Sequence, residues 1–296
     1  MPTARRHHFL PQTYLEQFCQ DGRFWLYDCS RRQVRAQTPK NTAVRRDYYT
    51  VVYGSGARDP GLETLLSEVE ASYHHLIGRI DQADRISWEE KQDLALFLAF
   101  LFSRVPRYER AYDEVAERTL KRKLRTILPS PEAIAAYVKS HPEIAAKHPN
   151  LNPANVDDFL RGEHYRIQIP RAYSIVSGVR SVLVLAPQLA MLEWRFASAP
   201  TGKSFLTCDD PIVLIREPGH KLTQQFSHLS GFSSLVPLSQ RTCLLVCAPG
   251  PFLGTGRVSD AAVHNINKAI ASQASEFLIA RDRPLLRRFV KSLRVS

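Results

Sequence analysis

The chain has 296 residues, 44% hydrophobic and 23% charged, a globular composition that can bury a sizeable core without a disulfide or metal staple. Its five cysteines are odd in number and scattered, which argues for reduced thiols in a cytosolic protein rather than a secreted disulfide framework. Lys and Arg number 40 against 29 Asp and Glu, a net charge of +11, and that excess directs attention to polyanionic partners.

The first residues, MPTARRHHFLPQ, hold two arginines but no apolar core of a signal peptide. Leu10, Tyr14, Leu15 and Phe18 then recur at helical spacing, predicting a short helix that begins near Pro11. RFWLYDC at 23–29 reads as a strand, QVRAQ at 33–37 as its partner, and DYYTVVY at 47–53 as a third strand.

A helical block follows. Residues 60–80 carry a long apolar stripe, with Asp59 as cap and Pro60 at the first turn. Ser87-Trp88-Glu89-Glu90 fits a capping box for a helix that runs to Val105 and is stopped or kinked by Pro106. Its most apolar stretch, 94–102, is far shorter than the roughly 20 residues a membrane helix needs. Residues 108–128 continue helically, 131–162 hold shorter helices, and 171–194 form a long apolar helix broken near Pro187.

From residue 204 the period changes. SFLTC, PIVLI, SSLVPLS and RTCLLVCA read as short strands, with turn chemistry at 217–221. Ser259 caps a helix to 274, and EFLIA follows as a strand. The order predicts an α+β fold: a small β-rich unit over 1–58, a helical block over 59–200, and a β-rich block over 201–296, packed as one integrated fold.

The N-terminal residues HHFLPQTYLEQF, the FWLYD strand and Asp47-Tyr48-Tyr49 resemble the uncharacterised bacterial domain-of-unknown-function family 4238. So do Trp194, the Thr207-x-Asp209-Asp210-Pro211 turn and Pro237-Leu238-Ser239. Cys208 departs from that pattern, where a small polar residue is expected. The resemblance spans nearly the whole chain and implies one integrated fold, but no particular activity.

Basic charge falls in three clusters. Residues 1–50 carry net +5, residues 118–125 five bases and no acid, and residues 280–296 again net +5. Lys121, Arg122 and Lys123 are therefore candidate phosphate contacts. Arg104, at the end of a very apolar helix, could clamp an anion or cap helix carbonyls. His7 or His8 could serve as a general base or metal ligand, although neighbours on extended chain point to opposite faces. Asp209 and Asp210 are the most plausible carboxylates, against the alternative of ordinary turn chemistry before proline.

The His74-His75 pair diverges on its helix, and Cys243 and Cys247 lack zinc-site partners. No phosphate-binding glycine loop or nucleophile elbow occurs. These features together predict a nuclease-like hydrolase acting on nucleic acid in the bacterial cytoplasm. His7 or His8, Asp209, Asp210 and Arg104 would be its site; the sequence names no cofactor, although a divalent metal could serve it. The alternative is a non-catalytic nucleic-acid or protein-binding module that uses a basic face. Neither reading involves a membrane.

Overall fold

A computed structural model describes residues 6–46, 48, 61–82, 86–216, 232–247 and 256–293. The predicted strand at 47–53 (Tyr48 excepted), the Asp59–Pro60 helix start and the turn at 217–221 lie outside the described residues. The fold is α+β.

The N-terminal segment opens with β1 (Arg6–His8), followed by α1 (Gln12–Glu16). Leu10, Tyr14, Leu15 and Phe18 are all buried, as their spacing predicts. Asp21 and Gly22 both take positive φ (53° and 73°) between the bridged residues Gln20 and Arg23. Glycine allows this tight turn, which leads into β2 (Phe24–Asp28) and its antiparallel partner β3 (Gln33–Gln37). The chain then returns along β1 as β4 (Val44–Arg46), pairing His8 with Val44.

Two long helices follow, α2 (Gly61–Asp81) and α3 (Trp88–Arg104). The capping box is present: Ser87 accepts from the Glu90 amide and Glu90 accepts from the Ser87 amide. Tyr73 of α2 stacks on Phe97 of α3 with ring centroids 3.9 Å apart. Val105 leaves helical geometry before Pro106 opens α4 (Pro106–Ile127), so proline divides the run as expected.

The chain divides into two compact units. One spans 1–107 and 177–296, the other 108–176. The smaller unit holds most of α4, then α5 (Pro131–Ser140), α6 (Pro142–Lys147) and α7 (Pro153–Gly162). Ser130 and Asn152 cap α5 and α7, each with proline in the first turn. Ile134 and Leu160 are buried within it.

Helix α8 (Arg171–Met191) runs through Pro187 without breaking. The carbonyl that the missing proline N–H leaves unpaired belongs to Leu183, whose residue is 71% exposed, so water can satisfy it. Among the described residues this helix is long and apolar enough to cross a membrane by length and composition. Six of its residues, Ser174, Gly178, Val182, Leu185, Ala186 and Ala190, are nevertheless buried in the fold. Trp194 lies beyond the helix, on a strand.

Among the described residues, the larger unit carries two sheets beyond the β1–β4 pair. Strands β5 (Glu193–Ser198), β6 (Thr207–Cys208), β7 (Val213–Arg216), β8 (Phe232–Pro237), β9 (Thr242–Cys247) and β10 (Gly256–Arg257) precede α9 (Asp260–Gln273), β11 (Phe277–Ala280) and α10 (Arg283–Leu293). One sheet has the order β10-β5-β9-β8-β7; the other is β3-β2-β11-β6. In the second sheet β11 pairs with β2, so the N-terminal strands and the C-terminal block share one sheet.

Tyr27, Phe205, Leu206, Leu278, Ile270, Leu286 and Phe289 meet in a continuous core between this sheet and α9 and α10. Asn267 of α9 ties the 204–206 segment to the core, accepting from the Leu206 amide and donating to the Ser204 carbonyl, both at 2.9 Å.

Candidate functional site

The two histidines on β1 face opposite ways. His7 is buried and His8 half-buried, as alternation on a strand requires. The His8 Nε2 lies 3.2 Å from the Lys40 carbonyl. Burial lowers the His8 pKa, with the Lys40 contact opposing it, so the ring favours its neutral form.

Arg104 does not stand as an open anion clamp. Its Nη1 donates to Glu70 Oε1 at 2.7 Å and its Nη2 to the His8 carbonyl at 2.6 Å, and the side chain is buried. The end of α3 is thereby fastened to α2 and to β1. Neither partner was foreseeable from local sequence, since they lie 34 and 96 residues away.

Asp209 and Asp210 also diverge. Asp209 Oδ1 accepts from the amides of Ser275, Glu276 and Phe277 at 2.9, 2.9 and 3.1 Å. Its Oδ2 accepts from the Ser275 hydroxyl at 2.6 Å. Four donors match the roughly four lone-pair sites of a carboxylate, so this buried group nucleates the turn into β11. Asp210 Oδ2 accepts from Arg107 Nη1 at 2.8 Å and Gln273 Nε2 at 2.6 Å. Burial raises the Asp210 pKa, with Arg107 opposing it.

The N-terminal segment does lie against the C-terminal block. The Phe9 ring is 6.2 Å from that of Phe277, and Arg45 pairs with Glu276 at 2.5 Å. The turn that holds Asp209 is therefore flanked by the β1–β4 pair, through an aromatic contact and a half-exposed ion pair. Among the described residues, no three His, Cys, Asp or Glu side chains gather as a metal-binding group. Cys19, Cys29, Cys208 and Cys243 are free thiols. Burial pushes the Cys29 thiol up to about 11.

The basic run of α4 is only partly open. Lys121 pairs with Glu117 at 2.9 Å and sits over the Tyr165 ring at 4.7 Å, while Arg125 pairs with Glu163. Arg122 and Lys123 are exposed. The unit over 108–176 holds 11 bases and 9 acids, a net +2, so the remaining 29 bases and 20 acids give the larger unit +9.

Within the larger unit, one arginine group stands out. Helix α10 buries Leu286, Phe289 and Val290 and turns Arg283, Arg287 and Arg288 outward. The Arg283 guanidinium lies 5.2 Å from the centre of the Trp25 ring on β2, a cation–π distance. Arg281 Nε reaches Gln20 Oε1 at 3.2 Å, beside the turn that carries Arg23. Register places Trp25 opposite Ala280, so these groups share one end of the sheet.

Arg23, Arg281, Arg283, Arg287 and Arg288 are all exposed and form no ion pair among the described residues. The nearby Asp282 is engaged as a cap, accepting from the Leu285 amide at 2.8 Å. The 280–296 cluster was visible as charge. Its shape as a helix face required reading Leu286, Phe289 and Val290 as an i, i+3, i+4 stripe.

A model of the family described as "Protein of unknown function (DUF4238)" matches residues 6–284. No curated protein and no solved structure matches the chain.

Proposed function

We propose that this chain, which belongs to the DUF4238 family, is a nucleic-acid-binding protein that grips the phosphate backbone with the arginines of α10 and of the segments that precede α10 and β2. The observation that carries this reading is the group of five exposed arginines, Arg23, Arg281, Arg283, Arg287 and Arg288, without carboxylate partners among the described residues. Guanidinium groups form bidentate bonds with phosphate oxygens. Trp25 beneath Arg283 adds an aromatic surface of the kind that single-stranded binders use. Contacts of this type are sequence-independent.

Binding without cleavage is the form we favour. The residues that a nuclease site would use are engaged elsewhere: Asp209 holds the β11 turn, Asp210 bonds Arg107 and Gln273, and Arg104 bonds Glu70 and the His8 carbonyl. The free thiols support a reducing compartment, and we place the protein in the bacterial cytoplasm.

Fluorescence anisotropy with labelled single-stranded and duplex oligonucleotides at low salt tests the reading. The triple variant Arg283→Ala/Arg287→Ala/Arg288→Ala should bind at least tenfold more weakly than wild type. Arg122→Ala/Lys123→Ala should bind nearly as well as wild type. Equal affinity of the triple variant, or no binding by wild type, would overturn it.

A further inference from the structure

A second site lies away from the arginine face, where the end of α2 meets the β10-β5-β9 edge of the five-stranded sheet. A cavity of about 300 Å³ opens there, lined by Asp81, Phe196, Arg241, Thr242 and Arg257 among others. That volume is at the lower end of small-molecule sites.

Arg241 and Arg257 are both exposed and form no ion pair among the described residues. Thr242 is 1% exposed, and its hydroxyl has no hydrogen-bond partner among the described residues. Asp81 is held in place by the Ser239 hydroxyl, which donates at 2.7 Å to Oδ1 and 3.0 Å to Oδ2. A carboxylate held by one donor group keeps acceptor capacity for others. Ser239 also accepts from the amides of Arg241 and Thr242 at 3.0 Å, so the turn that presents these two residues is fixed.

From this combination we infer that the cavity binds a nucleoside monophosphate. Two exposed guanidinium groups suit a phosphate. An aspartate beside them suits ribose hydroxyls, which donate where a phosphate cannot. The Phe196 ring supplies an apolar face for the base. Inorganic phosphate alone would leave the remaining acceptor capacity of Asp81 and the Phe196 ring unused, and would place a second anion beside the carboxylate.

Isothermal titration of the full chain with AMP, adenosine and inorganic phosphate tests the site. AMP should bind with a stoichiometry of one, and adenosine and phosphate at least tenfold more weakly. Arg241→Ala and Arg257→Ala should each weaken AMP binding about tenfold or more, the scale of a lost charge-assisted contact, with an unchanged circular dichroism spectrum. Arg287→Ala/Arg288→Ala should leave AMP affinity unaltered, which separates this site from the nucleic-acid face. No binding of AMP at millimolar concentration would overturn the proposal. So would AMP affinity equal to that of phosphate, or retained affinity in folded Arg241→Ala and Arg257→Ala.

Discussion

The phenolic oxygen of Tyr14 lies 2.7 Å from Thr207 Oγ1 and donates to the Pro237 carbonyl at 2.8 Å. These three residues belong to three of the segments that carry the family resemblance: the N-terminal HHFLPQTYLEQF, the Thr-Cys-Asp-Asp-Pro turn and Pro-Leu-Ser. The neighbouring Tyr73 hydroxyl donates to the Leu238 carbonyl. The motif residues are thus a buried hydrogen-bonded junction between α1, β6 and β8, and their proximity is structural.

Tyr14→Phe should therefore destabilise the protein by about 1–3 kcal/mol, because it leaves the Pro237 carbonyl and the Thr207 hydroxyl without their buried partner. Urea unfolding monitored by fluorescence measures this. A wild-type midpoint would contradict the junction's role.

Asp209→Ala should cost about 3 kcal/mol or more, since three backbone amides and a serine hydroxyl lose one charged acceptor. Amide exchange at 275–277 should accelerate along with the fall in stability. If Asp209→Ala unfolded like wild type and lost only an activity, the carboxylate would be a catalytic group and not a structural one.

Arg104→Ala should loosen the β1–β4 pair. Truncating the buried arginine leaves the part-exposed Glu70 without this partner and the His8 carbonyl without this donor, at about 1–3 kcal/mol. Hydrogen exchange at residues 6–8 and 44–46 should rise more than exchange in β9. Uniform exchange across both regions would argue against a local strut.

His8 sets a pH dependence whose sign follows from its lowered pKa. Between the ordinary histidine value and the lower folded value, the unfolded chain binds more protons, so stability falls as pH falls. His8→Asn should remove part of that slope. Unfolding free energies of wild type and variant, compared from pH 8 to 5, should diverge on acidification. Parallel curves would contradict the assignment.

What could be read from the sequence was what neighbours in the chain determine. The Ser87–Glu90 capping box, the Ser259 cap of α9, the Pro11 start of α1 and the proline division at 106 all rest on contacts within four residues. The roles of Asp209 and Arg104 do not. Their partners lie tens of residues away, so each looked like available chemistry until the fold placed those partners. The pairing of β1 with β4 is only three residues long and leaves too little periodicity to detect. Pro187 was misread as a breaker because the exposure of Leu183, which makes the lost hydrogen bond tolerable, is a property of the folded helix. The Asp21-Gly22 turn was legible in principle, as an Asp-Gly pair before an alternating run.

The central claim, that the arginine face binds a phosphate backbone, is tested most directly by the salt dependence of oligonucleotide affinity. Each phosphate neutralised contributes a slope of about −0.7 to −0.9 in log affinity against log salt. Five arginines therefore predict a wild-type slope of roughly −3 to −5, and the Arg283→Ala/Arg287→Ala/Arg288→Ala variant should lose about 2–3 of that slope. A slope near zero, or one that the triple variant leaves unchanged, would contradict the account.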